Sequence, residues 1–249
     1  MVSRGHNQAG RISVYDPAIN PTHPTGLWRT CPLAERLHDP SVGVLLAEDF
    51  QGYDAAATDG DYTLTQATTG AAAISTAAPG VLELDSNSTT STQGAQIQRL
   101  KSVLVPAAAK DIWFEARVKV VDTFDKVELF VGLAASDTTI IAASALSTQN
   151  HIGWKCVTDD GVLLFSADKA GAAATKAAAT IAEDTYVRLG FRVIGVTEIE
   201  QYVDGVLVGT NHVTANIPIV AVYPSFVCQS AGVNDPILHI AGYRAFQLR

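Results

Sequence analysis

From Val44 onward the chain reads as short runs in which apolar and polar residues alternate, broken by Gly, Asp, Asn and Thr. The clearest run is IWFEARVKV at 112–120. Ile112, Phe114, Ala116, Val118 and Val120 fall on one side of it, and Trp113, Glu115, Arg117 and Lys119 on the other. Successive side chains of a strand point to opposite faces, so a period of two predicts a strand with one buried face. YVRLGFRVI repeats the pattern, with Val187, Leu189, Phe191 and Val193 against Arg188, Gly190 and Arg192. In VLELDS, Leu82 and Leu84 oppose Val81, Glu83 and Asp85. VELFVGLA at 127–134 is apolar almost throughout, as a central strand should be. HIGWKCV and VLLFSA flank the turn TDDG, and YPSFVCQ and ILHIAGYRAFQL close the chain. Roughly a dozen such runs with turn chemistry between them predict an all-β antiparallel sandwich or barrel.

Asp204-Gly205, between IEQYV and VLVGT, predicts a hairpin, because both residues accept the positive φ that a type I′ turn requires. The alanine-rich stretch KAGAAATKAAATIAEDT at 169–185 is open to two readings. Its composition favours a helix. Its threonines and its place between two strands fit a strand with loops.

Residues 1–43 differ from the sandwich at 44–249. Pro17, Pro21, Pro24, Pro32 and Pro40 leave no room for an ordinary strand or helix beyond a single turn at LAERL, so an extended N-terminal arm is predicted. The arm also carries Leu27, Trp28, Leu33 and Leu37, which a solvated tail does not need. It either folds back on its own domain or orders on a neighbouring subunit. Tyr15, Pro17, Pro21, Pro24, Leu27, Trp28, Arg29 and Leu33 are the candidate partner-binding residues. Trp28 and Arg29 are of the types that dominate interface hot spots, although both also suit packing on the chain's own sandwich.

Charge and composition narrow the classes. The net charge of -8 argues against nucleic acid as a partner, because phosphate binding needs a basic surface. With 47% hydrophobic residues the chain can bury a core, although alanine supplies much of that share. Three cysteines are too few for a disulfide scaffold; Cys156 and Cys228 sit in apolar runs and read as buried thiols, fitting folding in a reducing cytoplasm. The N-terminus has no apolar signal-peptide core, and no run is long enough to span a membrane.

Candidate chemistry is sparse. Retaining glycosidases need two carboxylates about 5 Å apart. Glu115, Glu128 and the pair Glu198 and Glu200 are the strand carboxylates, and a solvated polar face accounts for them. His6, His23, His38, His151, His212 and His239 have no zinc-site spacing. TDGDY and TDDG are acidic turns of a kind that can hold calcium but far more often simply form turns. The reading is therefore of a protein that is not an enzyme and needs no cofactor.

The order EDF, GVLELDS, IWFEARVKV, VELFVGLA, YVRLGFRVIGVTEIEQYVDGVLV and ILHIAGYRAFQLR resembles the concanavalin A-like (laminin G-like) jelly-roll sandwiches over residues 44–249. The resemblance implies a late YVDG hairpin and a last strand that returns beside the first. Gln201 departs from it, falling between Ile199 and Val203 on the expected apolar face, so either that face is partly wet or the register differs. In the glycosidases of this fold the carboxylates follow E-x-D-x-x-E or E-x-D-x-E, and none of the runs here matches. A narrower resemblance, on EDF, FEARVKV, ELFVGLA and the Thr/Ala/Gly-rich texture, is to tailed-bacteriophage virion proteins. It implies a capsid decoration protein made in the host bacterial cytoplasm. Such a protein would bind the major capsid protein and its own copies, as a homotrimer, through the arm. The alternative implied by the same fold is a glycan-binding lectin-like or tail-associated adhesin module.

Overall fold

The computed structural model describes residues 26–33, 39–54, 60–67, 69–101, 103–121, 127–142, 145–157, 161–179, 181–211 and 214–249. Among the described residues its named elements are strands, apart from short 3-10 turns at Gly26–Thr30 and Thr214–Asn216. In chain order these are β1 (Gly43–Glu48), β2 (Thr63–Ala67), β3 (Ala71–Ile74), β4 (Leu82–Asp85), β5 (Gly94–Gln98), β6 (Ile112–Val121) and β7 (Val127–Ala134). The short pair β8 (Ile141–Ala142) and β9 (Ala145–Leu146) follows, then β10 (His151–Cys156), β11 (Leu163–Lys169), β12 (Ala172–Ala179) and β13 (Val187–Ile194). The last four are β14 (Glu198–Val203), β15 (Val206–Asn211), β16 (Tyr223–Ser230) and β17 (Ile237–Leu248).

Two antiparallel sheets form the sandwich. The eight-stranded sheet runs β15-β14-β13-β6-β17-β4-β3, with β1 also paired to β17. The seven-stranded sheet runs β12-β11-β10-β7-β16-β5-β2. The last strand lies beside the first, Gly43 opposite Leu248 and Glu48 opposite Tyr243. A register shift between Ile240 and Tyr243 lets the twelve residues of β17 pair with β4 at one end and β1 at the other.

The alternation sets the core. Ile112, Phe114, Ala116, Val118 and Val120 all point between the sheets with Leu189, Phe191 and Val193, and all are buried. Phe114 stacks on Phe191 at 5.1 Å between ring centroids, and Trp154 meets Phe165 edge-on at 5.3 Å. The Asp204-Gly205 hairpin forms with φ of 49° and 78°, joining β14 to β15. The alanine-rich stretch resolves as strand: Ala170 and Gly171 turn the chain at positive φ, and β12 pairs with β11 from Lys169 opposite Ala172 to Leu163 opposite Ala179. The open ladder of β11 outweighs alanine's high helix propensity, because strand pairing overrides a per-residue preference of this size. Gln201 does face the interior, fully buried, beside a register shift between Gln201 and Tyr202. Among the described residues no helix is long and apolar enough to cross a membrane.

Candidate functional site

The seven-stranded sheet presents its outer face as rows of cross-strand neighbours. One row is Thr63, Gln98, Ser225, Gly132, Gly153 and Ser166; the next is Thr65, Gln96, Val227, Phe130, Lys155 and Leu164. A sandwich face open to water should be polar and exposed. Much of this one is buried, because the segment between β7 and β10 folds over it as a roof. Ile140 and Ile141 pack on Phe130, Ala134 and Val227, forming a second small apolar core.

Two glutamines on β5 clamp the roof. Gln96 donates from Nε2 to the Asp137 carbonyl and accepts the Ile140 N–H on Oε1 at 2.9 Å. Gln98 donates to the Ala135 carbonyl at 3.0 Å and to Ser225 Oγ at 2.9 Å, and accepts the Asp137 N–H at 3.0 Å. The intervening Ile97 points into the main core. The period of two therefore sends Ala95 and Ile97 inward and both amides outward to the roof.

Between the roof edge and the flank of the sheet lies a groove of about 490 Å³. Thr65, Gln66, Thr92, Gln93, Gln96, Thr138, Thr139 and Gln229 supply its polar lining, and no charged side chain takes part. Gln229 is buried and donates from Nε2 to the Ile141 carbonyl at 3.3 Å. The Oε1 atoms of Gln93 and Gln229 are buried and accept no hydrogen bond. A buried acceptor left without a donor costs about 1–3 kcal/mol. Both atoms belong to glutamines that line the groove.

At the other end of the same face, His151 is buried and bonded at both ring nitrogens, to the Gln149 carbonyl and to Ser166 Oγ, each at 2.9 Å. Burial holds its pKa below the ordinary histidine value, with Asp168 and the Gln149 carbonyl opposing. Ser166 is itself buried, so this Ser–His contact does not reach solvent.

The carboxylates on this face are far apart. Asp168 stands opposite His151, which stands opposite Ala134, six positions along β7 from Glu128. At the rise of a strand that is about 20 Å, well beyond the spacing of about 5–10 Å that a glycosidase pair needs. On the eight-stranded sheet each candidate carboxylate with a resolved contact is held by a neighbour. Glu115 pairs with Arg244 at 2.9 Å, and Glu200 accepts from Tyr202 Oη at 2.9 Å and lies 3.6 Å from Arg192.

Of the proposed partner-binding residues, Tyr15, Pro17, Pro21 and Pro24 lie outside the described residues. Leu27 and Trp28 are 1% and 5% exposed, packed with Trp113, Tyr202 and Phe246 on the outer face of the eight-stranded sheet. Arg244 lies over the Trp28 ring at 4.4 Å. Their apolar surface is thus covered within this chain. Arg29 is exposed and Leu33 half-buried at the edge of the same cluster.

Cys156 and Cys228 are buried thiols and Cys31 is half-buried, none in a disulfide. His239 sits on β17 with Nε2 3.2 Å from Glu83. Of the two acidic turns, Asp61 pairs with Arg99 at 2.8 Å, and 158–160 lie outside the described residues. Among the described residues no group of three His, Cys, Asp or Glu side chains could hold a metal ion. The groove glutamines were not singled out in the sequence, since neutral amides have no diagnostic spacing. The one available signal was the pair of amides in AQIQ, where a solvated strand face would more often carry charge.

No family model matches the chain, and no curated protein matches its sequence. Solved structures do match its fold. Peanut lectin, in a complex with a nine-residue peptide, superposes with a TM-score of 0.57 over 82% of this chain and 97% of its own, at 11% identity. The Bacillus licheniformis β-glucanase gives 0.57 over 82% and 98%, at 14% identity. The carbohydrate recognition domain of Emp47p gives 0.59 over 85% and 99%, at 10% identity. At such identities the likeness is one of backbone alone. The chain has the concanavalin A-like jelly-roll β-sandwich fold that lectins and glucanases share.

Proposed function

We propose that this protein is a glycan-binding module, and that its site is the groove beside the roof on the seven-stranded sheet. The observation that carries the reading is the groove's neutral lining of threonines and glutamines. Sugar hydroxyls donate and accept at neutral groups and need no counter-charge. A volume of about 490 Å³ accommodates one or two sugar rings. The lectin and carbohydrate-recognition names among similar folds agree with this chemistry, although a shared fold alone would not select it. The groove lining includes no aromatic ring, so recognition rests on hydrogen bonds and an affinity of about 1 mM is expected.

The capsid-decoration reading relied on the Trp28 and Leu33 region as adhesive surface, and there Trp28 is already covered by this chain's own sandwich while Leu33 is half-buried at its edge. The lectin-like alternative therefore has the better support. A glycan array probed with the full chain, with and without chelator, tests it. Binding that survives chelation and is lost in Gln229→Ala and Gln93→Ala is the expected result. Absence of binding to any glycan, or binding indifferent to both substitutions, would overturn the assignment.

A further inference from the structure

A second groove, of about 460 Å³, lies on the opposite sheet where β17 kinks between β1 and β6. Its distinctive feature is a pair of like charges. Arg117 on β6 and Arg188 on β13 are direct cross-strand partners on the outer face, and both are exposed. Like charges placed opposite one another destabilise a sheet, so this pair costs the fold something unless a counter-charge joins it. Among the described residues none does. Neither guanidinium makes an ion pair with a described residue.

The groove does contain carboxylates, but two are already engaged. Glu115 is bonded to Arg244 at 2.9 Å. Glu48 accepts from the Phe50 N–H at 2.8 Å and from Tyr62 Oη at 3.1 Å, with Arg99 at 3.6 Å. Asp49, exposed at the rim, accepts the Gln51 N–H at 3.2 Å. Arg117 is in turn held by the Tyr186 ring, 3.9 Å from its guanidinium carbon, and Lys119 adds a further positive charge 5.4 Å from the same ring. A chain of net charge -8 thus keeps, at the mouth of a concavity, an arginine pair without an ion pair to a described residue, with Arg117 laid on the Tyr186 ring.

We infer that this groove binds an oxyanion, the carboxylate or sulfate of an acidic saccharide, with Arg117 and Arg188 each directing N–H donors at its oxygens. Planar guanidinium forks match such groups in pairs of parallel hydrogen bonds, which an ammonium would not do. The kink at Ala241 and Gly242 withdraws the backbone of β17 from the ladder and opens room for the rest of the ligand, with Gly242 at a φ of +129°. This site is separate from the neutral groove and does not depend on it.

Calorimetric titration of the full chain with glucuronate, glucose 6-sulfate, inorganic sulfate and neutral glucose tests the inference. Glucuronate or glucose 6-sulfate should bind, and each of Arg117→Gln and Arg188→Gln should weaken binding about tenfold. Raising the salt from 0.05 to 0.5 M, as assay conditions, should weaken it further, at roughly the screening expected of an exposed site. Inorganic sulfate binding as tightly as the sugar acids would keep the oxyanion site and remove the saccharide from the assignment. Thermal unfolding serves as the control: Arg188→Gln should leave the melting temperature unchanged or raised, because it relieves the repulsion. Failure of every anion to bind the unsubstituted chain at millimolar concentration would overturn the proposal. So would binding that both substitutions leave intact. Glucose, read against Gln229→Ala, reports on the neutral groove alone and keeps the two sites distinguishable.

Discussion

Leu27 sits directly on Gly190: a Cβ built at residue 190 would stand 2.6 Å from Leu27 Cδ2. Gly190 lies on the outer face of β13, between Arg188 and Arg192 in the alternation, at the place where the sheet receives the turn Gly26–Thr30. Gly26 is fitted from the other side, at a φ of +70° against the Gly205 carbonyl and the Tyr202 ring. Two glycines far apart in sequence thus define the seat of one 3-10 turn.

Gly190→Ala should therefore press on the turn and also on the Phe114 carbonyl of β6, 2.9 Å from the added Cβ. Forcing a methyl into a filled contact costs about 1–3 kcal/mol. The expected outcome is a lower unfolding midpoint together with a red-shifted, more quenchable Trp28 emission, read in a variant whose Trp113 and Trp154 are replaced by Phe. Leu27→Ala in the Gly190→Ala background should recover part of the loss, since the clashing side chain is gone. A Gly190→Ala protein with native stability and unchanged Trp28 emission would show that the turn is not seated there.

Gln201 supplies a second prediction with the opposite sign. Its side chain is fully buried between the sheets, and neither Oε1 nor Nε2 has a hydrogen-bond partner. Burying an amide without partners costs about 1–3 kcal/mol, and leucine has a similar volume. Gln201→Leu should raise stability by about that amount, seen as a higher urea midpoint with an unchanged slope. A fall in the midpoint would mean that the amide is paired within the fold.

Much of this architecture was legible in the sequence, and particular residues show why. Ile112 to Val120 announced their faces because a sheet buries one side and the period of two is rigid. Asp204-Gly205 announced its turn because few residue pairs accept two positive φ values. The strand at 172–179 was not decided, since alanine marks no face and only the ladder offered by β11 settles it. Trp113 fell on the polar side of its strand and is nonetheless buried, because Leu27, some eighty residues earlier, covers it. The candidate site was less legible still. Gln93, Gln96 and Gln229 meet Thr138 and Thr139 only after three strands and a roof come together, and no local spacing encodes that meeting.

His151 should make stability depend on pH. Burial lowers its pKa in the folded state, with Lys155 acting in the same direction, whereas the unfolded chain returns it to about 6.5. Below that value the unfolded state binds the extra proton. Stability is therefore complete above about pH 6.5 and declines as pH falls toward the folded pKa, with a slope of at most about 1.4 kcal/mol per pH unit for one group. His239, lowered chiefly by its partial burial, contributes with the same sign. Urea midpoints measured from pH 5 to pH 8 should fall on the acid side in the unsubstituted chain and fall less in His151→Gln. Parallel profiles for the two proteins would remove His151 from the account.

The roof offers the prediction that links stability to binding. Gln96 satisfies two backbone groups at once, the Asp137 carbonyl and the Ile140 N–H, and the latter bond is buried. Gln96→Ala strands both, at about 1–3 kcal/mol for each group that stays out of water. The segment need not remain closed at that cost. It can lift from Phe130 and Val227, exposing Ile140 and Ile141 to solvent while the main core beneath stays packed. Amide exchange at 137–141 should then rise well before exchange in β6 and β7, the signature of local rather than global opening. Because Thr138, Thr139 and Ile141 form one wall of the neutral groove, glycan affinity should fall in the same variant even at temperatures where the sandwich is fully folded. Gln98→Ala should loosen the neighbouring residues Ala135 and Asp137 in the same way, with a smaller effect on binding, since Gln98 does not line the groove. If Gln96→Ala exchanges its roof amides no faster than the parent, the segment is held by its apolar contacts alone and the amide clamp is incidental.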